Sequence, residues 1–268
     1  VAIEAETVIG AEKGSIPETG GENFTYTALN GTYCQITGYT GTAAEVRVPA
    51  ELGGYVVQSL GDRVFRNNTT LTTVVLPETV ESIGGETFAG CTALTEVWLN
   101  QGLTAVPANT FDGCTALERI SLPGSVTSIG NYAFRNCTKL DTVNWPAGLT
   151  NIGHYAFSGC TGLESIDLPD SVTTLGRRAF ENCTALNEVS LPLGWTTCAS
   201  TNSSYEEQFG GIFAGCTALT TITVPEGVTA LPDYAFQYCN KVEEIILPST
   251  LKTIGENCFY SCTALKDI

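Results

Sequence analysis

The chain has no methionine, one histidine (His154), and only 12 lysines and arginines against 28 aspartates and glutamates, a formal net charge of −16 over 268 residues. Each shortage removes a class of function. A single imidazole cannot supply the paired histidines of H-E-x-x-H, and neither a nucleophile elbow nor a phosphate loop is present. The acid excess, with no basic run to interrupt it, argues against charge-driven binding to nucleic acid or anionic lipid. No apolar stretch approaches the roughly 18 to 20 residues of a membrane-spanning helix, so a membrane is expected to be reached only through an anchor outside this segment. A chain that starts at Val1 and lacks Met reads as an excised or processed segment.

Cysteine, by contrast, recurs with a fixed period. Cys91, Cys114, Cys137, Cys160 and Cys183 are 23 residues apart, and after one step of 33 the series resumes at Cys216, Cys239 and Cys262. A phenylalanine stands three residues before each of these, from Phe88 to Phe259, and Phe65 extends the series towards the N-terminus. A self-similar period of this length marks a repeat architecture. Within Leu122 to Asn144 the apolar residues Leu122, Val126, Ile129, Ala133, Phe134, Cys137, Leu140 and Val143 keep neither a spacing of 2 nor one of 3.6, which excludes one long strand or helix. The L-x-x-V-x-L stretch instead reads as a short strand followed by a Pro or Gly turn. One coil cannot bury its apolar side chains alone, whereas stacked coils build a continuous column. The expected fold is a leucine-rich repeat solenoid of about nine 23-residue coils, one short parallel β-strand per coil, with turns or short helical segments opposite and an N-terminal β-hairpin cap.

The pattern I-G-x-x-A-F-x-x-C-T-x-L-x-x-I/V-x-L-P, at Ile129 to Pro146 with Trp145 for the last Leu and again at Ile152 to Pro169, resembles the BspA-like leucine-rich repeat family. The segment Phe24 to Phe65, with its Gly53-Gly54-Tyr55-Val56 insertion, is similar to that family's usual N-terminal unit. The resemblance spans about residues 24 to 268. It implies a bacterial protein, secreted or on the cell surface, with adhesion and host-protein binding known for a few members.

By the same reading, residues 1–22 form an acidic leader or linker, 23–47 a capping hairpin around Asn30-Gly31, and 48–268 the solenoid, with an insertion at about 195–211. Asn68 replaces the cysteine of the first coil, and Asn100 replaces a proline. The chain stops mid-repeat at Ile268, where an open strand edge invites association.

The periodic cysteines share the phenylalanine register and are expected to pack as free, buried thiols. No metal, cofactor or catalytic constellation is expected, and His154 is expected to be an exposed surface residue. Function is sought where side chains vary. The outward strand positions give one column, Val75, Trp98, Ser121, Asn144, Asp167, Ser190, Thr223 and Ile246, and an acidic flank that includes Glu96, Glu118, Arg119 and Asp141. Trp98 beside Val75 is the apolar point of this face. Trp195 and Tyr205 are the aromatics of the inserted loop, and such insertions are often binding loops. The candidate protein-binding residues are therefore Val75, Trp98, Glu96, Arg119, Glu118, Asp141, Asp167, Trp195 and Tyr205. The leading expectation is a non-enzymatic surface or secreted module that binds an extracellular host or matrix protein. The alternatives are a structural spacer within a larger surface protein and a carbohydrate-binding module.

Overall fold

A 23-residue period, broken by one step of 33, stacks equivalent residues of successive coils, and the architecture follows from that register. The computed structural model describes residues 14–193, 195, 197–199 (backbone only) and 211–266. The strand expected in each coil is present, for example at Thr73–Val75, Glu96–Trp98, Arg119–Ser121, Thr142–Asn144 and Ser165–Asp167. Pairing within this ladder is parallel and offset by one period, as in Ile166↔Val189. Because side chains alternate along a strand, the middle residue of each turns inward, and Val74, Val97, Ile120, Ile166 and Ile222 are buried.

Each coil also carries a second strand, so the expectation of one per coil is corrected to two. Ser82–Ile83, Ala105–Val106, Ser128–Ile129, Asn151–Ile152, Thr174–Gly176 and Thr197–Ala199 belong to this second set, with parallel partners such as Ile129↔Ile152. Two or three residues are too few to display an alternation, and only the neighbouring coil makes them a strand. The glycine after Ile permits the close approach: a Cβ at Gly130 or Gly153 would lie 2.6 Å from backbone nitrogen of the preceding coil.

On the opposite side the A-F-x-x-C stretch forms turns. Alternate amides there donate to the next coil, Tyr132 N to His154 O (2.8 Å), Phe134 N to Ala156 O (2.7 Å) and Asn136 N to Ser158 O (2.8 Å). The only helical element among the described residues is a 3₁₀ turn at Gly21–Asn23.

Nine phenylalanines from Phe65 to Phe259 stack along the axis with ring centroids 4.9–5.8 Å apart and planes within 11° of parallel. The N-terminal hairpin, Phe24–Ala28 against Tyr33–Tyr39, closes this column. Tyr39 sits on Phe65 and Phe24 on Tyr39, each at 5.1 Å, while Tyr33–Tyr39 also pairs in parallel with Tyr55–Leu60.

The periodic cysteines do more than fill space. Each thiol donates to the phenylalanine carbonyl of the preceding coil, from Cys91 Sγ to Phe65 O at 3.0 Å through to Cys262 Sγ to Phe236 O at 3.3 Å. All ten described cysteines are free and buried. In the first coil Asn68 uses its Oδ1 to accept from Thr70 N and Leu71 N. Asn100, in place of proline, is also buried and donates its amide to Pro77 O and Val80 O at 2.6 Å each.

Two expectations about the seventh unit are corrected. The sequence places Trp195 in the inserted loop, but it is 1% exposed. Its amide bonds Pro192 O just as Leu149 bonds Pro146 O and Val172 bonds Pro169 O, so Trp195 occupies a core column one period after Val172. The strand Thr197–Ala199 then pairs with Thr174–Gly176 in unbroken register, Leu175↔Cys198, so the inserted residues begin after Ala199 and not at 195. Tyr205 lies outside the described residues. At the other end, part of the acidic leader is built into the fold: Ile16 is 2% exposed, and Glu18 bridges in parallel to Arg47.

Candidate protein-binding face

Parallel strands at about 4.8 Å spacing convert one outward position per coil into a straight column of side chains. On the first ladder the flanking residues of the three-residue strands from Arg119 onward face solvent. Arg119 and Ser121, Ser165 and Asp167, and Thr221 and Thr223 are all exposed, each pair around a buried isoleucine. Glu118 and Asp141, just before their strands, are exposed as well. The fold therefore brings Glu118, Arg119, Asp141 and Asp167 onto one surface with Glu96 and Trp98 at its N-terminal end. Arg119 Nε lies 3.9 Å from Asp141 Oδ1 with both side chains largely exposed, a pair worth little stability.

Val75 does not belong to that surface. It is 1% exposed, because in the ladder it stands between Arg47 and Trp98, whose longer side chains flank it on both sides. With Trp195 in the core, two of the three apolar members proposed from sequence among the described residues are interior, and Trp98 alone remains at the face.

Trp98 and Glu96 are half-buried next to each other. Burial pushes the Glu96 carboxyl above the usual carboxylate range, and the nearby Trp98 indole partly offsets the rise. The two do not meet in a well-formed hydrogen bond, and Trp98 Nε1 and Glu96 Oε1 both stay unsatisfied. Both atoms are buried beneath the face, so what this pair presents to a partner is the half-exposed indole surface.

The turn edge was not among the sequence-derived candidates. It holds Arg63, Arg66, Arg135, Arg177 and Arg178, five of the seven arginines. Arg66 pairs with Glu86 at 3.1 Å, and Arg135 grips Asp112 with two bonds of 2.9 and 2.6 Å. Tyr132 and Tyr155 stack at 5.0 Å, with Arg135 over the former and Arg177 and Arg178 over the latter. A signal existed: each of these arginines falls at one of three places in the repeat, two or three residues before the phenylalanine or directly after it. His154 also belongs to this edge. It is half-buried, and its Nδ1 accepts a 2.9 Å bond from Arg177 N, so the expectation of a merely exposed residue is corrected to a link between coils.

Among the described residues no three His, Cys, Asp or Glu side chains converge to hold a metal ion. Burial raises the periodic thiols far from ionisation, Cys91 to about 12 from 9.0.

A family model described as BspA type leucine rich repeat region matches residues 58–187 and 202–268, in six copies. Comparison with curated protein sequences finds no match. Among solved structures the chain is similar to a leucine-rich repeat protein of Bacteroides ovatus (23% identity, 92% of this chain and 80% of that one, TM-score 0.52). It is also similar to the leucine-rich repeat protein of T. pallidum (24%, 94% and 92%, 0.50) and to the pneumococcal vaccine antigen PcpA (20%, 94% and 80%, 0.60). These likenesses are of fold.

Proposed function

The chain belongs to the BspA-type leucine-rich repeat family, and on that premise we propose that it is a non-enzymatic module of a bacterial surface or secreted protein, binding an extracellular host or matrix protein through its strand face. The observation that carries this reading is the row of outward residues Trp98, Glu118, Arg119, Asp141 and Asp167 on or beside short parallel strands that pair in register two or three at a time, Thr73–Val75 with Glu96–Trp98, Arg119–Ser121 with Thr142–Asn144 and Ser165–Asp167 with Glu188–Ser190. Such a scaffold presents side chains without a backbone ordering cost at binding, which favours recognition of another folded surface. Its acid excess selects a basic partner patch, and the half-exposed Trp98 ring is the apolar anchor.

The test is surface binding to a panel of extracellular host and matrix proteins with wild type, Trp98→Ala and Asp167→Lys. Weakening by about 10-fold or more on loss of Trp98, and a salt-sensitive loss with Asp167→Lys, would support the reading. A partner bound equally by all three would move recognition off this face. No partner on any panel would favour the spacer alternative.

A further inference from the structure

The turn edge holds a polar groove of about 450 Å³ whose floor is backbone. Gly90 and Gly113, both at φ +73°, lie at its base, while Asn67 and Asn136 close its two ends three coils apart, about 14 Å at one strand spacing per coil. Its walls carry two ion pairs of opposite orientation, Arg66 with Glu86 and Arg135 with Asp112. Their charges cancel, so a strongly charged ligand gains nothing from this groove although the molecule as a whole is acidic. The side-chain amides of Asn67 and Asn109 line it at left-handed backbone positions (φ 60° and 56°), Asn136 (φ 59°) stands at its end with Oδ1 turned over Gly159 of the next coil, and none of the three side chains is hydrogen-bonded to another described residue. Other asparagines of the solenoid, such as Asn68, Asn100 and Asn131, spend theirs on the backbone.

The same construction recurs further along the edge. A smaller groove of about 190 Å³ joins the Arg178–Glu181 pair, Asn182, and a Gly215 floor to Tyr238, whose ring is 51% exposed and meets Tyr260 edge-on at 5.7 Å. Planar amides and charge-neutral guanidinium–carboxylate pairs match the adjacent hydroxyls of a sugar, and an exposed tyrosine ring matches its C–H face. We infer that the turn edge is a binding site for a neutral, hydroxyl-rich oligosaccharide, separate from the strand face. The backbone at the three asparagines is held by bonds to the next coil, Asn67 N to Ala89 O, Asn109 N to Asn131 O and Asn136 N to Ser158 O, so only side-chain freedom is lost on binding.

The experiment replaces Asn67, Asn109 and Asn136 together by glycine, which removes the amides and suits the left-handed backbone at all three positions. Wild type, this triple variant, Tyr238→Ala and Trp98→Ala are run on an array of neutral and anionic glycans, and hits are repeated as soluble oligosaccharides in calorimetry. The inference requires a neutral glycan that binds wild type and Trp98→Ala alike and binds the triple variant about 10-fold or more weakly, the combined loss of three neutral hydrogen bonds. Tyr238→Ala should weaken only longer chains that reach the second groove. No neutral glycan bound, anionic glycans alone bound, or equal binding by the triple variant would each overturn it. Because Trp98→Ala leaves this site intact, failure here and failure of the strand face are read separately.

Discussion

The strand face and the turn edge are produced by the same period, yet they obey different rules. On the strand face successive outward residues vary freely, Trp98, Ser121, Asn144, Asp167, Ser190, with no repeated chemistry. On the turn edge neighbouring coils constrain one another. Asn136 Oδ1 lies 2.6 Å from where a Cβ of Gly159 would stand, and Asn67 and Asn182 likewise reach over Gly90 and Gly215. An asparagine at this position is thus followed, one coil later, by a glycine. Strands keep side chains perpendicular to the stacking direction, whereas left-handed turns swing the side chain along it. A repeat scaffold can therefore diversify one face while the other stays coupled from coil to coil.

The largest expected effect comes from the thiols beneath the turn edge. Their folded pKa values are raised, Cys91 and Cys258 each to about 12 from 9.0. The stabilisation is complete below about pH 8, where both states keep the proton, and is lost as pH rises from there through the folded value. The slope is up to about 1.4 kcal/mol per pH unit for each thiol. Urea midpoints should fall steeply between about pH 8.5 and 11, and more shallowly in a Cys137→Ala, Cys160→Ala variant. An unchanged slope would remove the thiols from the account.

Next in size are interior aromatics. Phe134→Ala and Trp195→Ala should each cost about 3–5 kcal/mol in denaturant unfolding, while Asp167→Ala on the strand face should stay within about 0.5 kcal/mol. A small loss at Trp195 would return it to the surface. Smaller again is the coupling between coils: Gly159→Ala should cost about 1 kcal/mol or more, and Asn136→Gly in the same chain should recover part of that, a coupling a double-mutant cycle would measure. Strict additivity would dissolve the distinction between the two edges. The smallest effect is Trp98→Phe, which removes an unsatisfied indole N–H and should leave stability within about 1 kcal/mol of wild type.

Much of this was legible in advance. Coil number, the strand of each coil, the phenylalanine and cysteine columns and the hairpin around Asn30-Gly31 all follow from local pattern, because periodicity repeats one signal many times. The second strand was not legible, since two residues such as Asn151–Ile152 carry no alternation. Nor was the burial of Val75 and Trp195. Val75 reads as an outward strand residue, and only its flanking Arg47 and Trp98 decide otherwise. Trp195 precedes an insertion and reads as part of it, but the register with Val172 carries it into the core.

The sequence by itself determined the period, and with it the stack of coils and the identity of the buried columns, because a side chain repeated at one position in every coil is stacked on its own copies along the axis. Tertiary structure decided what lies open. Exposure of an outward residue depends on the size of its neighbours one coil away. Whether an asparagine amide is free depends on the carbonyls within reach, and neither distance is written in the spacing along the chain.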